Sequence, residues 1–85
     1  MAIASYHRQM LKLAMDSLDE VAAEERDISA VTLMASPALV TQFKDELAAL
    51  RKKLLALSAQ EVAATEVVQL NLQLFPVKKR RGPKP

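Results

Sequence analysis

With 85 residues the chain has room for one small core and not for two domains, and the absence of cysteine rules out a disulfide framework and thiolate metal sites. Half of the residues are apolar, but Tyr6, Phe43 and Phe75 supply all the aromatic bulk, so aliphatic packing has to carry the fold. The net charge of +2 hides a division: Lys78, Lys79, Arg80, Arg81 and Lys84 close the chain, and taking those five away leaves a body of −3.

From about residue 5 to 23 the apolar positions Tyr6, Met10, Ala14, Leu18 and Val21 recur three or four apart, with Leu11, Met15 and Ala22 widening the stripe. This spacing predicts an amphipathic helix whose apolar arc covers more than half its circumference. A charged run, Glu24-Glu25-Arg26-Asp27, ends the pattern. Arg26 among three carboxylates suggests exposed ion pairs at the junction, each contributing at most about 1 kcal/mol. The β-branched and apolar stretch from 28 to 35 then predicts a strand.

Ser36-Pro37 is a helix start, because the Ser side chain can cap free N–H groups and Pro fits the first helical position. The predicted second helix runs from about 37 to 60, with Val40, Phe43, Leu47, Leu50, Leu54 and Leu57 alternating spacings of three and four. A helix lying across a sheet is the first reading of this seam and a coiled coil the second. After a weakly patterned connection, residues 66 to 75 predict a closing strand. Period-two alternation sets Val68, Leu70, Leu72 and Leu74 on one face and Gln69, Asn71 and Gln73 on the other, and Pro76 ends it.

The fold class expected from this order is α+β, helix-strand-long helix-strand over residues 1–77, with the helices on one face of the sheet. Two strands are seldom stable alone and leave open edges, so a second subunit is expected to complete the sheet. Val68, Leu70, Leu72, Leu74 and Phe75 are the candidate assembly residues. Gln69, Asn71 and Gln73 form a polar row that faces solvent or makes amide hydrogen bonds with a partner or ligand.

Little in the sequence points to chemistry. His7 is the only histidine and falls within the apolar arc of the first helix, where a packed or interface role is the simpler reading. The first glycine is Gly82, so no phosphate-cradling loop is encoded, and Ser29, Ser36 and Ser58 have no His/Asp partners at identifiable spacing. No enzyme activity, cofactor or metal is expected. Apolar runs are short and no signal-peptide pattern is present, so a cytoplasmic, non-membrane setting is expected. The tail from 78 to 85 reads as disordered, and Lys78, Lys79, Arg80, Arg81 and Lys84 are candidate phosphate contacts. Its Arg81-Gly82-Pro83 only weakly resembles a minor-groove AT-hook, lacking an Arg between Gly and Pro.

Three blocks, Tyr6-His7-Arg8-Gln9-Met10, Glu24-Glu25-Arg26-Asp27-Ile28-Ser29 leading to Thr32, and Gln69-Leu70-Asn71-Leu72-Gln73-Leu74-Phe75-Pro76, carry a family likeness. Over residues 5–77 the chain resembles the C-terminal part of the bacterial predicted transcriptional regulators catalogued as domain of unknown function 4423. The resemblance implies a dimerisation or effector domain that lacks the helical DNA-binding region preceding it in full-length members, whether as a fragment, a separated domain or a truncated paralogue. The implied partner is a second copy or a paralogous regulator chain. The alternatives are a stand-alone adaptor forming mixed dimers with a full-length paralogue, or nonspecific nucleic-acid binding through the tail.

Overall fold

The structure, a computed structural model, describes residues 2–78; of the tail cations Lys79, Arg80, Arg81 and Lys84 lie outside that range and Lys78 is the last residue within it. Two helices, α1 (Ala2–Glu20) and α2 (Pro37–Ala59), are its regular elements, with one short 3-10 turn at Ala23–Glu25. The expected α+β fold is therefore corrected to a helical one among the described residues. Neither predicted strand, 28–35 or 66–75, is assigned as one.

The physical reason lies in the backbone hydrogen bonds. Those outside the helices are local, such as Val21 N–H to Ser17 O at 3.0 Å and Glu25 N–H to Ala22 O at 2.9 Å, and none joins 28–35 to 66–75. Alternation says which side chains share a face, whereas a strand also needs a neighbour to accept and donate along its edge. A two-stranded parallel pair closed over a helix of this length gains too little to form by itself.

The local signals for α2 hold. Ser36 has extended backbone (φ −89°, ψ 165°), its Oγ accepts from Leu39 N–H at 3.1 Å, and Pro37 occupies the first turn. Ser36→Ala removes this cap and is expected to cost about 1 kcal/mol of stability, read as a lower midpoint in urea with an unchanged slope. Helix α1 begins earlier than its stripe suggests and stops at Glu20, before the charged run.

No described residue is buried, and no two helical elements share a packed face. The accessible surface is 8630 Å². A compact chain of 9.4 kDa exposes about 5,000 Å². Residues 1 and 79–85 account for at most about 1,300 Å² of the difference even if wholly extended, so roughly 2,300 Å² of surplus surface belongs to the described body.

Candidate assembly surface

The closing segment is tied to α1 by one long-range side-chain bond. Asn71 Nδ2 donates to the Met10 carbonyl in mid-helix at 2.8 Å, across 61 residues of sequence, and Asn71 Oδ1 accepts from Gln69 Nε2 at 3.0 Å. The two amides thus fix each other's orientation, and Asn71 is the one half-buried residue of the segment. At the other end of α1, Val21 and Glu25 border a shallow groove together with Glu66, Val67 and Val68. The segment therefore runs against the direction of α1, from its C-terminal end back toward its middle. The five residue steps from Glu66 to Asn71, at most about 18 Å when extended, cover a stretch of helix some 16 Å long, which requires nearly full extension.

This places the polar row differently from a solvated one: Asn71 reaches the helix, while Gln69 supports it and Gln73 is exposed. The alternating apolar row is only partly covered. Val68 is 80% exposed, Leu70 52%, Leu72 37% and Leu74 42%, and Phe75 is also exposed. Asn71→Ala removes the tether and should cost about 1 kcal/mol locally. The check is amide hydrogen exchange, with faster exchange expected at residues 66–76 and little change in α2.

Arg26 does something that its acidic neighbours concealed. Its guanidinium Nη1 donates to the Val21 carbonyl and, more distantly at 3.5 Å, to that of Ser17, and it forms no ion pair with Glu24, Glu25 or Asp27. The Val21 carbonyl lies just past the end of α1, where acceptors lack helical partners and the helix dipole favours a cation, whereas the Ser17 carbonyl already accepts from Val21 N–H at 3.0 Å. The last turn of α1 contains no basic residue, so Arg26 reaches back to supply one. A basic residue shortly after a helix is a recognised capping signal and could have revealed this from sequence.

The remaining polar features are surface ones. Lys12 Nζ and Asp16 Oδ2 pair at 2.9 Å along α1, and the hydrogen bond to Asp16, then its charge, raises the Lys12 ammonium above its ordinary range. His7 is exposed, edge-on to the Tyr6 ring at 5.7 Å. Among the described residues no three His, Cys, Asp or Glu side chains gather as metal ligands, and no helix is long and apolar enough to cross a membrane.

What the geometry does offer is a partly exposed apolar row beside an ordered tether, on a segment whose sequence block also carries the family likeness. The family profile described as Domain of unknown function (DUF4423) matches residues 1–77. The chain belongs to the DUF4423 family. The match spans α1, α2 and the tethered segment together, so the layout described above is that of the DUF4423 region of this chain. No curated protein and no solved structure matches the chain.

Proposed function

We propose that this DUF4423 chain is a non-enzymatic assembly module, the dimerisation or effector part of a bacterial transcriptional regulator, acting in the cytoplasm with a second copy or a paralogous regulator chain as its partner. The observation that carries the reading is the surplus of exposed surface, on which large apolar side chains such as Val68, Leu33 and Leu55 stand more than half exposed. A chain that is half apolar and buries no described residue has not reached the state in which its hydrophobic side chains are removed from water. The surplus of roughly 2,300 Å² is the area that an obligate partner covers, where a standard interface covers about 800 Å² per side.

The regulator setting rests on the sequence blocks described first, and the assembly on the surface. Size-exclusion chromatography with light scattering over a dilution series tests the assembly. A dimer at tens of micromolar is expected; a well-folded monomer throughout the micromolar range would refute self-assembly. Co-purification of a full-length family member with a tagged copy of this chain then decides between a second copy and a paralogue as the preferred partner.

A further inference from the structure

The exposed surface of α2 has a regular order that a general apolar surplus does not require. Val40, Leu47 and Leu54 lie seven apart, Phe43, Leu50 and Leu57 fall three residues after them, and the six form a single stripe over three heptads. Val40, Phe43 and Leu47 are half-buried, while Leu50 at 42%, Leu54 at 38% and Leu57 at 55% are exposed. With no sheet beneath it, the stripe has no helix packed along its length among the described residues.

Resting on the assembly reading above, we propose that this stripe is a homodimer seam: α2 of one copy pairs with α2 of a second copy, in parallel and in register.

The flanking charges select both the occupant and its direction. In the register set by Val40, Leu47 and Leu54, the positions beside the seam hold Glu46 and Lys53 on one side and Lys44, Arg51 and Ser58 on the other. In a parallel pair each residue on the first side meets the residue five positions further along the partner. Glu46 then faces Arg51 of the other copy, twice by symmetry, and Lys53 faces an uncharged Ser58. An antiparallel pair keeps two attractive contacts, Glu46 with Lys53, but sets Lys44 against Arg51 twice. Parallel pairing is the arrangement without a repulsive contact. Glu46 and Arg51 are exposed, and neither forms an ion pair within the described residues, so both are available to a partner.

The charges also provide a test that leaves the apolar stripe intact. Glu46→Arg opposes two like charges in the parallel pair and is expected to weaken dimerisation by roughly tenfold, with Arg51→Glu in the same chain restoring it. Lys52→Glu, on the outer face, should change the dissociation constant by less than about threefold. Because the chain has no cysteine, Leu57→Cys reports direction without interference. In parallel register the two thiols meet across the seam and oxidise to a linked dimer, whereas an antiparallel pair holds them about 25 Å apart.

Analytical ultracentrifugation and non-reducing gels of the full chain give the readout, with circular dichroism confirming that each variant keeps its helix content. A dimer that responds to Glu46→Arg, is rescued by Arg51→Glu and links through Leu57→Cys supports the seam. A dimer that ignores the charge reversal and does not link overturns it while self-assembly stands. Linking only in a mixture of Val40→Cys and Leu57→Cys chains overturns the parallel direction. A monomeric wild type overturns both the seam and self-assembly.

Discussion

A hundredfold dilution should lower the melting temperature of this chain by about 8 °C. If folding is completed by pairing, the assembled state loses RT ln 100, about 2.7 kcal/mol per dimer, on that dilution. The unfolding entropy of two such chains is about 0.36 kcal/mol per kelvin, taking the usual value per residue. The ratio of the two gives the shift. A monomeric fold would melt at the same temperature at every concentration. The effect is sharpened because helices in proteins draw most of their stability from packing an apolar face, and neither α1 nor α2 has a buried residue in the single chain. Circular dichroism from about 100 to 1 micromolar is the measurement, and helix content at low temperature should fall as the dimer dissociates. A concentration-independent transition with full helicity would mean that the chain needs no partner to fold, and the assembly reading would fail with it.

The helices were legible because their signals are local. Ser36-Pro37 announces the start of α2 in two residues, and the cap forms between atoms three residues apart. The stripe from Tyr6 to Val21 reveals α1 through a period that needs no knowledge of the rest of the chain. Its end was harder to place, since the stripe continues through Val21 and Ala22 while the helix stops at Glu20. Past that end, Arg26 returns to the Val21 and Ser17 carbonyls.

The strand-like pattern misleads for the opposite reason. Val68, Leu70, Leu72 and Leu74 alternate with Gln69, Asn71 and Gln73 as a half-buried strand would, but a ladder depends on a neighbour that no local pattern identifies. The bond from Asn71 to Met10 spans 61 residues and is invisible to any periodicity. The same distance in sequence explains why the polar row was read as solvated or partner-facing. In the structure its central amide holds the segment to α1, with the apolar row partly exposed. Alternation groups Val68, Leu70, Leu72 and Leu74 as one row, whereas the relation of that row to α1 has no local signal.

That relation makes the apolar row separable from the stability of the single chain, and a double substitution exploits it. Leu70→Lys with Leu72→Lys places two charges on side chains that are 52% and 37% exposed in the single chain, where water still reaches the ammonium groups. In the assembled state each lost leucine contact is expected to cost about 2 kcal/mol, with desolvation of the introduced charge adding to it. Assembly should weaken at least a hundredfold, while residual helicity at high dilution should match that of the wild type. The Gln69–Asn71–Met10 chain of hydrogen bonds uses the other set of side chains, so the segment should stay docked, with wild-type exchange rates at Asn71 in the dissociated chain. An unchanged dissociation constant and melting temperature at high concentration would remove Leu70 and Leu72 from the interface. A loss of helicity that persists at high dilution would instead show that the row stabilises the monomer. Combining the pair with Glu46→Arg adds a further distinction. Additive losses are expected if the tethered segment and the α2 seam touch separate parts of the partner, because distant sites with no shared contacts act independently. A combined loss that departs from additivity would mean that the two surfaces meet in one interface.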